Sequence, residues 1–309
     1  MAFGGSRSGP GEVVEISEGV HAYVQHDGSW WINNTGFIAG STGVVSIDTC
    51  STEARTRAYV EAIAKVSAQP VRTVVNTHHH GDHTFGNYLF PGATIVGQEQ
   101  SRAALLAWGV PRSAPYWTEV EWGRIELAPP FLTFERSVAV YVDELRCEVL
   151  HLGHPAHTDN DAIVWIPERK VLFAGDLVFN GGTPFVLQGS IAGALETLEQ
   201  LSGLGAETVV PGHGPVCGPE VFAQARRYLE FVQRVASDGV AAGLSPLAAA
   251  LETDLGEFAD LLDSERIVGN LHRAYSEELG QPWGCVLDAA AALADMVTFN
   301  GGVPLACHA

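Results

Sequence analysis

The sequence predicts an α/β protein: an αββα sandwich of two sheets packed face to face with helices outside, followed by a helical C-terminal appendage. Two observations predict this fold. Strand-like stretches cluster in two successive halves with amphipathic helices between them, and the patterning from about residue 219 onward is almost entirely helical. Sheets with one apolar face bury that face against another layer. We therefore expect a flexible N-terminus over residues 1–12, the sandwich domain over residues 13–218 and the appendage over residues 219–309.

The first half begins with strand-like runs separated by turns. VHAYVQ, WWINNTGFIAG and TGVVSID are divided by Asp-Gly and Thr-Gly pairs, which are typical of hairpin turns. In residues 51–66, apolar side chains at helical spacing follow a Ser/Thr start with Glu53 close behind, which predicts a capped helix. VRTVVNT then predicts a short buried strand that leads directly into a group of histidines.

The second half repeats this organisation before the helical appendage begins. LRCEVLHL, DAIVWIP and KVLFAGD predict strands, IAGALETLEQLSGL predicts an amphipathic helix, and ETVVPGHG predicts a strand followed by a loop. The appendage has helical spacing in VFAQARRYLEFVQRVAS, SPLAAALETDL, FADLLDSERIVGNLHRAYSEEL and CVLDAAAALADMV. We expect these helices to pack on the second half of the sandwich.

Composition and charge exclude several classes of partner. The chain has 309 residues, is 46% hydrophobic and carries a formal net charge of −19. Such an acidic surface repels phosphate backbones and anionic lipids, so nucleic acid and membranes are not expected partners. The N-terminal sequence lacks the apolar run of a signal peptide, and the five cysteines are scattered without a CxxC pair. We therefore expect a cytoplasmic protein without a disulfide framework, and the sequence leaves the oligomeric state open.

Four histidines and one aspartate occupy six consecutive positions in NTHHHGDHTFGN. Alternate side chains of an extended segment face the same way, so His78 and His80 can bind one metal while His79 faces solvent or contacts a ligand. Beyond Gly81, Asp82 and His83 can reach a second metal position. Imidazole nitrogens and carboxylate oxygens without a thiolate favour zinc and, less selectively, iron or manganese.

Further ligand types occur where strands are predicted to begin or end. His157 precedes the strand DAIVWIP, Asp176 ends VLFAGD and His213 ends ETVVPGH. A rigid sheet can fix such side chains in position. HLGHPAHT also contains His151, which we place inside a strand as a packed core residue, and His154, which we expect beside the ligands. The Thr-Asp-Asn that follows favours His157 as the ligand.

Four motifs follow one another along the chain: HxHxDH, a later His before Thr-Asp-Asn, Gly-Asp and PGHG. Together they resemble the metallo-β-lactamase-fold superfamily. The resemblance implies the αββα sandwich and two metals, for which we choose two zinc ions. The implied ligands are His78, His80 and His157 for the first metal, Asp82, His83 and His213 for the second, and Asp176 between the two.

The resemblance also indicates a class of reaction. A bridging aspartate is similar to the thioesterase, lactonase and phosphodiesterase branches rather than to the true β-lactamases. Two zinc ions activate a water molecule and polarise a carbonyl, so no protein nucleophile is needed. Asp82 and Asp176 are the catalytic candidates, because Asp82 can orient the water or move a proton as well as bind metal. Asp48, at the end of TGVVSID, is expected to support a ligand histidine from behind, with a turn or helix-cap role as the alternative.

Aromatic residues near the predicted site indicate the kind of substrate. Trp30 and Trp31 lie at the first hairpin, while Trp108 and Trp117 lie in a proline-broken segment over residues 107–134. Together they predict a roomy, aromatic-lined cleft with a lid, suited to a flat aromatic or acyl-aryl ligand, although each tryptophan could instead cover core.

Three functions stay open at this stage. WWINNTGF, DTCSTEARTR and ERIVGNLHRAY look like an actinobacterial subgroup that includes aromatic polyketide cyclases of this fold. The first hypothesis is a hydrolase of an activated acyl bond (thioester, lactone or ester) in an aromatic or polyketide-like small molecule, either free or bound to a carrier protein. The second is a cyclase that closes a ring by aldol chemistry at the same site. The third is a metal-binding module without catalysis, which a paired metal site disfavours.

Overall fold

Two β-sheets form the centre of the molecule, as the sequence predicts. The computed structural model describes residue 9 and residues 11–111 and 114–309. In these ranges one sheet has seven strands and the other five, with helices on their outer sides. The predicted α/β class and two-sheet architecture are confirmed. Of the predicted flexible N-terminus, residues 1–8 and 10 lie outside the described residues, and Glu12 already begins the first strand.

The seven-stranded sheet follows the order of the chain. Its strands are β1 (Glu12–Ser17), β2 (Val20–Val24), β3 (Thr35–Ala39), β4 (Val44–Ile47), β5 (Val71–Val75), β6 (Thr94–Gln98) and β7 (Leu132–Phe134). Strands β1 to β4 pair antiparallel, and β4 to β7 pair parallel. The parallel pairs require crossover connections, which contain α1 (Glu53–Val66), α2 (Gly81–Thr84) and α3 (Glu99–Trp108). Thr52 caps α1 through its side chain, as its sequence predicts.

The five-stranded sheet is formed by the second half of the sandwich. Its strands are β8 (Ser137–Val142), β9 (Leu145–Leu150), β10 (Ile163–Ile166), β11 (Val171–Phe179) and β12 (Thr208–His213). Strands β8 to β11 pair antiparallel, and α4 (Ile191–Gly203) connects β11 to its parallel neighbour β12. Apolar side chains of both sheets, such as Val45, Val149 and Phe173, form the core between them. The ends of β5, β11 and β12 therefore meet at one edge of a rigid sandwich.

The C-terminal region is helical and packs against the second half. It contains α5 (Glu220–Ala242), α6 (Pro246–Glu252), α7 (Arg266–Glu278) and α8 (Ala289–Phe299). Their apolar side chains share one cluster with α4 and the outer face of the five-stranded sheet. The domain boundary at residue 218 stays a prediction. Within the described ranges, no helix combines the length and the apolar character that a membrane crossing requires.

Two predicted helices are shorter than expected. FADLLDSE is not part of α7, because the backbone of Leu262 bonds to Gly181 and Thr183 and so draws this segment out of helical geometry. Asp263, in the left-handed region with φ 56°, continues the break. The stretch CVLD likewise precedes α8, which begins only after its cap at Asp288.

Three site-bearing segments also differ from expectation. Residues 30–34 form a loop rather than a strand, because the Asn34 backbone and side chain bond to carbonyls of residues 211, 212 and 214 on the other half. Asp176 does not end its strand, since β11 continues to Phe179. Trp108 ends α3 instead of lying in a loop.

Candidate metal centre

The potential ligands lie where β5, β11 and β12 converge. The chain leaves β5 at residue 75, and Gly81 then begins the short helix α2, which carries Asp82 and His83. A Cβ on Gly212 would collide with the carboxylate of Asp176, so glycine is required for β12 to pass this close to β11. Gly81 therefore begins the helix that carries Asp82 and His83, and Gly212 allows β12 to lie close to Asp176.

The first group of potential ligands contains three histidines. The Nδ1 atom of His80 lies 3.0 Å from His78 Nε2 and 2.9 Å from His157 Nε2. Donor atoms 2.0–2.1 Å from a tetrahedral ion lie roughly 3.3–3.4 Å apart. The three nitrogens thus converge at nearly the separation that a shared metal ion would need.

The second group contains Asp82, His83 and His213. The Oδ2 atom of Asp82 lies 3.3 Å from His213 Nε2 and 3.7 Å from His83 Nε2. In each group, including Asp176 with the first, all potential ligand atoms lie within 4.8 Å of one another. These buried histidines and carboxylates form a His/Asp metal-binding site of the type expected for two ions.

Asp176 lies between the two groups. Its Oδ2 atom is 3.4 Å from His157 Nε2 and 3.3 Å from His213 Nε2, and its Oδ1 atom is 3.1 Å from His83 Nε2. Although buried, His83 Nε2 and Asp176 Oδ1 make no well-aligned hydrogen bond. Two polar atoms that lie this close without an aligned hydrogen bond are typical of ligands that point at a common cation. The position of Asp176 between the two groups suits a bridging carboxylate.

The charges of the site match a metal-binding role. Burial lowers the pKa of His80 to about 4 and that of His157 to about 3, so both imidazoles are neutral, as metal ligands must be. Burial alone would also lower the pKa of His213, but Asp176 and Asp82 raise it to about 9. Burial would raise the pKa of Asp176, yet His213, His83 and His157 hold it well below its usual range. A metal cation would replace the protons on the second group.

Several contacts behind the ligands fix their orientation. Asp48 Oδ2 lies 2.9 Å from His83 Nδ1, and the Thr77 backbone N–H and hydroxyl both donate to the same carboxylate. The Nδ1 atom of His157 donates to the carbonyl of Phe185 at 2.5 Å. Such contacts fix the tautomer and ring orientation of a ligand histidine. The structure places Asp48 where the sequence predicts a supporting residue.

The other histidines of the two motifs point away from the two groups. His79 is buried rather than facing solvent; its Nδ1 atom faces the side-chain amide of Asn160, and its ring centre lies 4.7 Å from that of the potential ligand His80. His151 follows β9 rather than lying inside it, and its ring bonds to the carbonyl of Asp161. The expectation for His154 is wrong, because it bonds to Gly193 and Thr197 of α4.

A cleft of about 210 Å³, the metal cleft, opens over the two groups. All four predicted tryptophans line it, together with His80, Asp82, His157, Asp176 and His213. Trp30 packs edge-on against Trp117 at 5.0 Å, and Trp108 lies 5.7 Å from the ring of His80. The aromatic wall therefore adjoins the potential metal ligands directly.

Other residues of the metal cleft escaped the sequence prediction. They are Phe179, Phe185, Leu187, Gln188, Arg266, Ala289 and Leu293. The guanidinium of Arg266 lies 3.9 Å from the Trp30 ring centre, and Glu265 accepts a hydrogen bond of 2.7 Å from the Trp30 indole. Gln188 contacts the ring of His80. The motif ERIVGNLHRAY contains Glu265 and Arg266, but nothing in its spacing indicates that it reaches a site more than 200 residues earlier in the chain.

A model of the Metallo-beta-lactamase superfamily matches residues 28–213, more than half of the chain. The chain belongs to the metallo-beta-lactamase superfamily. The match includes all seven potential ligands and ends before α5. The family predicted from the histidine motifs is thereby confirmed, and Glu265, Arg266, Ala289 and Leu293 lie outside the matched region.

Curated relatives of this chain carry the names of several enzymes. The chain is 27% identical over 228 residues to the alpha subunit of 2,4-dinitroanisole O-demethylase from a Nocardioides species, covering 72% of this chain and 62% of the relative. It is 26% identical to a human acyl-coenzyme A thioesterase (55% and 65% covered) and 29% identical to hydroxyacylglutathione hydrolase of Rhodospirillum rubrum (52% and 53%). The chain thus spans between about half and two thirds of the length of these relatives.

Solved structures share the fold. A metallo-beta-lactamase from Pontibacter korlensis superimposes with a TM-score of 0.60 at 23% identity, covering 71% of this chain and 98% of that protein. The Pseudomonas aeruginosa enzyme FIM-1 in its mono-zinc form gives 0.59 at 19% identity, with 73% and 97% covered. At these identities the likeness establishes the two-sheet fold alone.

Proposed function

We propose that the protein is a dinuclear metal-dependent hydrolase that cleaves an activated acyl bond, a thioester, lactone or ester, of an aromatic or polyketide-like small molecule. One observation carries the proposal: two groups of ligand-type side chains share Asp176 at a cleft whose wall contains four tryptophans. The relatives named as thioesterase and as hydroxyacylglutathione hydrolase support acyl-bond hydrolysis. The relative named for 2,4-dinitroanisole supports an aromatic substrate.

The proposed metal ligands are those implied by the motifs. His78, His80 and His157 would hold one ion, Asp82, His83 and His213 the other, and Asp176 both. Nitrogen and carboxylate ligands without thiolate favour zinc, with iron and manganese as alternatives. When bound, such ions activate water and polarise a carbonyl oxygen.

The chain's own residues supply orientation and proton transfer. Asp82 borders the metal cleft, and its pKa is lowered because His83 and His213 outweigh the effect of burial. An ionised carboxylate at the cleft wall can orient the attacking water and accept a proton from it. The tryptophans exclude bulk water and hold a flat acyl group by stacking. A carrier-bound acyl chain would present the same thioester.

A cyclase is the second candidate, favoured by the aromatic lining of the metal cleft. A site that polarises a thioester carbonyl also stabilises an enolate, so ring closure of a poly-β-ketone would use the same residues. The two reactions differ in their products, since hydrolysis adds one water and aldol closure adds none.

Hydrolysis can be tested with the benzoyl thioester of N-acetylcysteamine. We expect zinc-loaded protein to release free thiol, chelator-treated protein to release none, and re-addition of zinc to restore the rate. Thiol release that is equally fast in the chelator-treated protein would overturn the proposal.

A further inference from the structure

A second cavity of about 660 Å³ adjoins the metal cleft. We call it the outer compartment, and its lining includes Trp31, Phe85, Trp108, Ala114, Trp117 and Trp122. A cavity of this size with an aromatic wall commonly marks a binding site. No metal-ligand candidate lies among its described lining residues, so its role is to bind rather than to react.

The two cavities share one aromatic wall. Trp31, Trp108 and Trp117 line both the metal cleft and the outer compartment. Trp31 packs edge-on against Trp122 at 5.1 Å and against Trp117 at 5.8 Å. A planar ligand could therefore remain in contact with aromatic surface from one cavity into the other.

Trp31 at this junction is held in an unfavourable state. Its φ of 70° lies in the left-handed region, which costs a bulky residue free energy, and its buried indole N–H makes no hydrogen bond. Residues held at such a cost cluster at ligand-binding sites. The unfavourable state of Trp31 indicates that the wall between the two cavities is functional.

The charges of the outer compartment restrict its ligand. Among its described lining residues the only charged side chains are Glu119 and Glu121, both exposed. Carboxylates at the rim repel phosphates and carboxylates, and aromatic faces attract flat or cationic groups. The compartment thus suits an uncharged or cationic planar group and disfavours an anionic one such as the nucleotide portion of coenzyme A.

We propose that the substrate has two parts: the reacting carbonyl end lies in the metal cleft, and a second, uncharged planar portion extends past Trp31 and Trp117 into the outer compartment. This inference deepens the proposed function and rests on it for the identity of the reacting end. Binding in the outer compartment itself needs no metal.

Binding can be tested without catalysis. The neutral fluorophore N-phenyl-1-naphthylamine is titrated into metal-free protein, into Ala114→Phe, which adds a ring to the wall of the outer compartment and narrows it, and into Ala103→Phe, an exposed position of α3 outside both cavities. The added ring takes space that the ligand needs beside the tryptophans, and keeping the ligand off one aromatic face should weaken binding about five-fold in Ala114→Phe. Ala103→Phe should bind as the wild type does. Equal affinity of Ala114→Phe and the wild type would overturn the proposal, provided that both variants show the wild-type circular dichroism.

Kinetics then test whether the compartment serves the substrate. Acetyl and 4-biphenylacetyl thioesters of N-acetylcysteamine share a leaving group and differ in planar length. Ala114→Phe should lower kcat/KM about five-fold for the biphenyl ester alone. An equal decrease for both esters would contradict the two-part substrate. If wild-type protein hydrolyses neither ester, the proposed function fails, and the fluorophore titration still decides the binding site.

Discussion

The metal centre and the aromatic wall lie side by side, yet the chain builds them in opposite ways. The potential ligands lie on or beside β5, β11 and β12, are buried except for the half-buried His80, and are held by contacts such as Asp48 to His83. The wall comes from the loop with Trp30 and Trp31, the exposed end of α3 and the C-terminal helices. A rigid sheet thus holds the potential metal ligands, while loops and added helices form the wall beside them.

The family model sharpens this contrast. All seven potential ligands lie inside the matched residues 28–213, whereas α7 and α8 lie beyond them. Family membership therefore accounts for the metal centre but leaves part of the wall unspecified. Changes to the centre should abolish the reaction, and changes to the wall should alter which substrates react.

The largest effect is expected when Asp176 is replaced by alanine. Loss of the carboxylate shared by both ligand groups should reduce the bound metal by at least one equivalent and lower kcat by more than about 100-fold, beyond the range for residues behind the ligands. Metal content by mass spectrometry and thiol release measure the two effects. His157→Ala should behave similarly. Full metal content with a wild-type rate in both variants would show that the ligand assignment is wrong.

A smaller loss is expected for Asp48→Asn, which removes the charge behind His83. Such supporting residues typically contribute about 10–100-fold in metal affinity. Asp143→Asn is the matched control, because Asp143 also has a positive φ and accepts bonds from a backbone N–H and a hydroxyl, but lies on the surface. Competition with a chromophoric chelator measures the affinity. Equal affinities of the two variants would place Asp48 outside the metal centre.

Arg266→Met should affect substrate binding more than chemistry. A cation–π contact contributes about 0.5–2 kcal/mol, so loosening Trp30 should raise KM about 2- to 30-fold for an aryl thioester with metal content unchanged. Arg234→Met removes the surface contact of Arg234 with Phe231, 6.0 Å away, and should leave KM unchanged. A lower kcat with unchanged KM in Arg266→Met would mean that the helical region acts on the metal centre instead.

The last expected effect concerns pH. The pKa of His213 in the metal-free protein is raised to about 9, so its ring holds a proton at pH 7 that a metal must displace. Apparent zinc affinity should therefore rise with pH, by at most about tenfold per unit for each displaced proton, and level off above pH 9. Calorimetric titrations in two buffers of different ionisation enthalpy measure the proton release. Zinc binding without proton release at pH 7 would contradict this charge distribution.

The sequence revealed the metal centre far better than the wall. Residues of ligand type recur at fixed spacing around strand ends. The local pattern is therefore sufficient to predict His78, His80 and His213 as potential metal ligands. The wall depends on contacts between distant segments, such as Trp30 with Glu265, which no local periodicity records.

The same limit explains the errors in secondary structure. The sequence WWINN has strand-like character, but Asn34 bonds to the other half of the sandwich and forms a loop. FADLLDSE has helical spacing, but backbone bonds from Leu262 to Gly181 and Thr183 prevent a helix. In both places tertiary hydrogen bonds outweigh local propensity.

The central claim is that the metal centre adds water to an acyl bond, and the product formed in ¹⁸O-labelled water tests it most directly. Zinc-loaded protein is incubated with an aryl poly-β-keto thioester of N-acetylcysteamine, and the product is weighed by mass spectrometry. Hydrolysis predicts a split acyl bond and one ¹⁸O atom in the released acid. A product of unchanged mass, or lighter by one water and free of label, would contradict the account and identify the protein as a cyclase.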